Sequence, residues 1–280
     1  MKLCVHLTLL IAALTSAACR RSPAPAQDAG AAEARADAGA ALRATRRLPP
    51  LHAESWRIEL PVGNFNPAVV SVPLGAQSPR PIVIALHGYA DRADWQCGTW
   101  TGITRAHAFV LCPQGSKLPA SGGIERYSYG SATQTEQELR AALKALKARF
   151  GEHVAAGPVI LAGYSLGATH AVRIARLEPS YFSRLVLVEG AAGQWSAGDA
   201  AIFAKGGGQK LMVVCAQTSC ANAGKRAVLF TERARAEAEL VFPGPLGHLF
   251  DGRVAHAIKE RMPWLVQGDE RWPATKKRQP

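Results

Sequence analysis

Several absences narrow what this chain can be. The apolar run nearest the start, Leu7 to Leu14 (LTLLIAAL), falls short of the roughly 20 residues that a permanent membrane helix needs. No paired C-x-x-C spacing occurs among the six cysteines, so a structural zinc site lacks its usual ligand pattern. There is no internal repeat. The formal charge of +12 comes without a basic stripe interleaved with aromatics and without a helix-turn-helix or RNA-binding signature. Half of that excess is terminal: residues 1–50 carry seven Lys/Arg against three acids, and the last twelve carry four against two. Nucleic acid is therefore not an expected partner, and attraction to anionic lipid or an acidic surface is the better use of the charge. Acidic residues are also missing locally, with no Asp or Glu between Lys210 and Thr231.

What is present begins with an export pattern. Met1-Lys2 supplies a positive start, the short apolar run follows, and Ser16-Ala17-Ala18 precedes Cys19. This resembles the lipobox of bacterial lipoproteins, with Ser16 where that motif usually has Leu. The expectation is a signal peptide over 1–18 and a lipid anchor on Cys19 in the cell envelope. The alternative is ordinary cleavage after Ala18, giving a secreted or periplasmic protein. An Ala/Pro-rich tether is expected over 19–51, one domain over 52–267, and a disordered basic tail over 268–280. Cys97, Cys112, Cys215 and Cys220 remain after processing. An even number in an oxidising compartment suggests two disulfides, Cys97 with Cys112 and Cys215 with Cys220, each closing a short loop beside a strand end. Unpaired buried thiols are the alternative.

From Leu51 onward strands alternate with helices, which predicts an α/β domain: a mostly parallel sheet covered on both faces. Strands are expected at Trp56–Leu60, Ala68–Val72, Pro81–Leu86, Phe109–Cys112, Pro158–Ala162, Leu185–Val188, Leu211–Cys215 and Leu240–Phe242. Helices are expected near Ala93–Ala106, Glu138–Phe150 (behind a capping box of Thr133 and Glu136), Leu166–Leu177, Ala197–Lys205, Ala223–Glu237 and His248–Leu265. In such sheets the site forms at the carboxyl ends of the strands.

Gly163-Tyr164-Ser165-Leu166-Gly167 follows an apolar strand and opens a helix. That is the context a G-x-S-x-G nucleophile requires, a sharp turn pushing the hydroxyl above the sheet. With the apolar strand running into His87-Gly88-Tyr89, and Gly247-His248 after the last strand, the chain resembles an α/β-hydrolase over residues 52–266. The resemblance implies Ser165 as nucleophile, His248 as general base and the backbone N–H groups of Tyr89 and Leu166 as oxyanion donors, with His87 structural. The family's common position for the acid, after the strand at Leu211–Cys215, is empty. Some members place it one strand earlier, where Glu189 stands. Asp199 and Asp251 are fallbacks, and a dyad without an acid is a further alternative.

About twenty residues separate Glu189 from the next strand, which leaves room for a minimal cap and an open site. Trp195 and Tyr89 are expected to line its mouth, Phe203 either to line it or to pack in the core, with the loop Gly115–Gly130 as another wall. The resemblance implies an exported carboxylic-ester hydrolase that needs no cofactor and takes an ester substrate, bulky or polymeric. A catalytically silent binding scaffold and an acyltransferase using the same residues are the alternatives.

Overall fold

The computed structural model describes residues 47–119 and 123–273. The signal segment, Cys19, the tether up to residue 46 and the tail from 274 lie outside the described residues.

An eight-stranded sheet forms the centre. Its strands are β1 (Arg57–Val62), β2 (Phe65–Ser71), β3 (Ile82–Leu86), β4 (Phe109–Cys112), β7 (Ile160–Tyr164), β8 (Arg184–Val188), β9 (Lys210–Val214) and β10 (Glu237–Val241). They run in the order β1-β2-β4-β3-β7-β8-β9-β10, antiparallel at β1/β2 and β2/β4 and parallel thereafter. The pattern of burial follows from position. β3, β8 and β9 are buried at every residue because helices cover both faces, whereas edge strand β1 alternates exposed and buried. Among the described residues the α-helices are α1 (Ala93–Thr104), α2 (Ala132–Phe150), α3 (Leu166–Ala175), α4 (Ala197–Lys205), α5 (Thr218–Arg233) and α6 (Gly252–Leu265). α1 and α6 pack on one face through Trp100, Ile103, Val254 and Ile258. The other four cover the opposite face through residues such as Leu139, Leu146, Ile174 and Phe203. No helix of the described residues is long and apolar enough to cross a membrane.

The structure departs from the sequence reading at several boundaries. The capping box of α2 is Ser131 with Gln134, not Thr133 with Glu136, and the helix starts six residues earlier than expected. Glu136 instead pairs with Arg140 one turn on. α5 begins at Thr218 rather than Ala223, and α6 begins after Asp251, so His248 sits on a loop rather than in a helix. Leu48 and Leu51, at the end of the expected tether, are buried, and their amides donate to Gln77 and Ala76 carbonyls. Beyond 267 the chain is not a free tail as far as Pro273. Trp272 is buried, and Arg271 donates to the carbonyls of Ala156 and Pro158 while pairing with Asp269.

His170, five residues after Ser165, lies within α3 and is buried against α2, with Nδ1 2.8 Å from the Thr135 hydroxyl. Burial, followed by the nearby Arg173 charge, pushes its pKa below the ordinary histidine value. The unfolded chain therefore takes up this proton first, and the associated stability is present above the unfolded pKa of about 6.5 and lost progressively below it. Thermal midpoints measured from pH 7.5 to 5 should fall, and His170→Gln should shallow that fall.

Candidate active site

The glycines around Ser165 are set by close approach. A Cβ on Gly163 would lie 2.4 Å from the Gly167 backbone, and one on Gly167 would lie 2.4 Å from the Leu86 carbonyl oxygen at the end of β3. The turn can close only without side chains at these two places. Ser165 itself takes φ 52°, the left-handed region that a non-glycine residue occupies at a cost on the order of 1–3 kcal/mol. Its amide donates to the Val188 carbonyl at 3.0 Å, and α3 begins at the next residue. The hydroxyl is thereby lifted above the carboxyl ends of β7 and β8.

Three side chains from three strand ends meet there. His248 Nε2 is 2.9 Å from Ser165 Oγ, and His248 Nδ1 is 3.2 Å from Glu189 Oε2. Glu189 directly follows β8, also with positive φ (46°), and its amide donates to the Val214 carbonyl. Its other oxygen, Oε1, accepts from the amides of Ala216 and Gln217, the latter at 3.0 Å. These amides stand just before α5, where the positive end of the helix also favours a carboxylate. The acid's side chain is 0% exposed, while that of His248 is 47% exposed, so the carboxylate is held dry and the imidazole opens to solvent.

The His248 loop is fixed from both sides. Leu246 and Gly247 donate their amides to the Ala216 carbonyl at 2.8 and 2.9 Å. The Tyr164 hydroxyl donates to the His248 carbonyl at 3.1 Å, and the two rings stack with centroids 5.5 Å apart. Burial, with smaller contributions from Asp91 and Glu189, pushes the Tyr164 phenol up to about 12, so it remains a donor at any neutral pH. Asp199 and Asp251 are committed elsewhere. Asp199 forms the capping box of α4 with Ser196 and pairs with Arg176, and Asp251 caps α6.

The loop after β3 approaches from the opposite side. A Cβ on Gly88 would stand 3.4 Å from Ser165 Cβ. His87 is fully buried, with Nδ1 2.8 Å from the Gly88 carbonyl and Nε2 2.9 Å from that of Gln114, and its ring stacks on Tyr129. Asp91, which the sequence reading missed, accepts from the amides of Gly88 and Arg92 and from the Gln96 side chain. The amides of Tyr89 and Leu166 donate to no group among the described residues. They remain free to bind an oxygen developing negative charge beside Ser165.

The mouth differs from expectation. Trp195 is buried and donates to Thr231 Oγ1 of α5, and Phe203 is buried in the core, the second of its two expected places, because α4 packs against α5. Tyr89 is exposed as expected. The Gly115–Gly130 segment contains an unexpected hairpin, β5 (Ser116–Lys117) with β6 (Tyr127–Ser128), bridged to the Asp91 loop through Tyr127.

The four domain cysteines pair as Cys97–Cys112 and Cys215–Cys220, with Cα separations of 5.9 and 5.5 Å. Among the described residues, Glu189, Cys215 and Cys220 are the group whose potential metal-ligand atoms lie close together. Both sulfurs are already bonded to each other, so this cluster offers no thiolate.

No family model matches the chain, and no curated protein matches it in sequence. Solved structures do match. TT1662 from Thermus thermophilus aligns at 15% identity over 75% of this chain and 98% of its own, with a TM-score of 0.56. A dienelactone hydrolase-like promiscuous phosphotriesterase, P91, from metagenomic libraries aligns at 15% identity over 74% and 94%, with a TM-score of 0.53. Esterase PE8 aligns at 13% identity over 74% and 100%, with a TM-score of 0.51. The chain has the α/β-hydrolase fold. Within this fold, Ser165 stands at the turn after β7, His248 follows the last strand, and Glu189 follows β8. At identities this low the likeness concerns the fold alone.

Proposed function

We propose that the protein is an exported serine hydrolase that cleaves carboxylic esters through an acyl-enzyme on Ser165. The observation that carries this reading is the continuous hydrogen-bonded line from Glu189 through His248 to Ser165, ending on a serine held at positive φ. His248 Nε2 takes the hydroxyl proton as Ser165 Oγ adds to the ester carbonyl. The free amides of Tyr89 and Leu166 stabilise the tetrahedral oxyanion. The imidazolium, stabilised by buried Glu189, then returns the proton to the departing alcohol, and water attacks the acyl-enzyme by the same route to release the acid. Every step uses side chains and amides already in place, and none calls for a cofactor. Export, with Cys19 as lipid anchor, rests on the N-terminal pattern. Mass analysis of the mature N-terminus from the native host tests it: a diacylglyceryl Cys19 supports the anchor, and an unmodified terminus contradicts it.

The substrate reading rests on the surface beside Ser165. A depression of about 290 Å³ lies between the oxyanion loop and the His248 loop, walled by Tyr89, Trp95, Tyr164 and Phe250, with Arg126 stacked on Trp95. This chain is poor in aromatics, at 7%, yet four line this one wall, and Tyr89 and Trp95 are largely exposed. Such a shelf favours ring-bearing esters, and the short α4 leaves it open to bulky or polymeric ones. With one leaving group throughout, an aryl-bearing acyl ester should exceed its aliphatic counterpart in kcat/KM. Trp95→Ala should cut that preference by about 3- to 10-fold while leaving the aliphatic rate alone. Equal rates for both acyl groups in the wild type would refute the ring preference.

A further inference from the structure

The Cys215–Cys220 disulfide closes a ring of chain only five residues long. A loop so short removes less freedom from the unfolded chain than the fifteen-residue loop of Cys97–Cys112, so global stabilisation is the weaker reason for placing it here. What the ring contains is more telling. Ala216 and Gln217 lie inside it, and their amides hold Glu189 Oε1. The Ala216 carbonyl, in the same peptide segment, takes both amides that precede His248. One fully buried residue is thus the junction between the acid and the loop of the base. The two sulfurs also lie within 4.8 Å of the Glu189 carboxylate.

We infer that the Cys215–Cys220 disulfide is a positioning element of the active site, fixing Glu189 through two amides and the His248 loop through the Ala216 carbonyl. The inference rests on the hydrolase reading above. With the bond intact, Ala216 and Gln217 cannot turn away from Glu189, and Gly247, which reaches His248 with φ 100°, keeps its anchor. With the bond broken, the turn into α5 depends on local hydrogen bonds alone, because Gln217 makes no side-chain cap there. The imidazole then loses orientation from both ends. Misplacement of about 1 Å costs on the order of 100-fold in rate.

The test compares Cys215→Ala/Cys220→Ala with Cys97→Ala/Cys112→Ala on a soluble ester. The first pair should lose about 10- to 100-fold in kcat with KM unchanged, and the second should lose thermal stability while keeping kcat. Combined with Glu189→Gln, the first pair should cost less than the product of the separate losses, because both act on one alignment. Full multiplication, or wild-type kcat in the Cys215/Cys220 variant, would overturn the inference. If that variant does not fold, native protein is treated with dithiothreitol, which gives two electrons and two protons to the S–S bond and leaves as its cyclic disulfide. Cys220 is half-buried whereas Cys97 and Cys112 are fully buried, so the Cys215–Cys220 bond should open first. Activity should fall in step with the opening of Cys215–Cys220, followed by alkylating and mapping quenched aliquots, and return when the unalkylated remainder is reoxidised. Unchanged activity with that bond open contradicts the positioning role alone. A wild-type protein inactive on every ester contradicts the functional reading instead.

Discussion

Ser165→Ala should lower ester hydrolysis by on the order of 10⁶-fold in kcat while leaving the fold intact. The loss is this large because Ser165 Oγ forms the covalent bond, and His248 Nε2 has no other hydroxyl among its hydrogen-bond partners. The fold should survive because Ser165 does not cap α3 with its side chain; removing Oγ breaks no structural hydrogen bond there. Alanine inherits the same left-handed backbone, so any change in stability should stay small. Circular dichroism beside steady-state kinetics on a p-nitrophenyl ester reads both. Substantial turnover in the folded alanine variant would remove Ser165 from the chemistry.

Glu189→Gln should cost about 10⁴-fold in kcat, and the structure gives a specific reason. The amides of Ala216 and Gln217 both point at the Oε1 position, so a glutamine must put its carbonyl oxygen there. Its NH₂ group then faces His248 Nδ1. That nitrogen has to accept rather than donate, which places the imidazole proton on Nε2, facing Ser165 Oγ, where the base should be. The neutral amide also gives the imidazolium no charge to lean on. Asp199→Ala and Asp251→Ala, by contrast, should keep kcat within about twofold while losing about 1 kcal/mol of stability through lost helix caps. Activity lost in either of these with Glu189→Gln unaffected would move the acid elsewhere.

The parts of this site that could be read from sequence are those carried by short contiguous patterns. Pro81–Leu86 reads as a buried strand because it is apolar at every position, and Gly163–Gly167 reads as an elbow because a G-x-S-x-G string follows an apolar strand and opens a helix. Glu189 could be nominated because the segment after β9 holds no acid. What closed that gap was hidden: the two amides of Ala216 and Gln217 carry no side-chain signal. The β5–β6 hairpin has two residues per strand, too few for any periodicity, so its bridge to Asp91 was invisible as well. Trp195 misled for a different reason. An aromatic just before a short helix beside a site looks the same in sequence whether it faces the mouth or turns inward to pack against a neighbouring helix, as Trp195 does on Thr231. The α2 cap was misplaced because Ser131–Gln134 and Thr133–Glu136 satisfy the same rule two residues apart.

The most direct test of the account is labelling of the purified domain with a fluorophosphonate probe, followed by peptide mapping. A single adduct on Ser165, lost in Ser165→Ala and sharply slowed in His248→Ala, is the predicted result. A folded wild-type protein that takes up no probe would contradict the account and favour a catalytically silent binding scaffold.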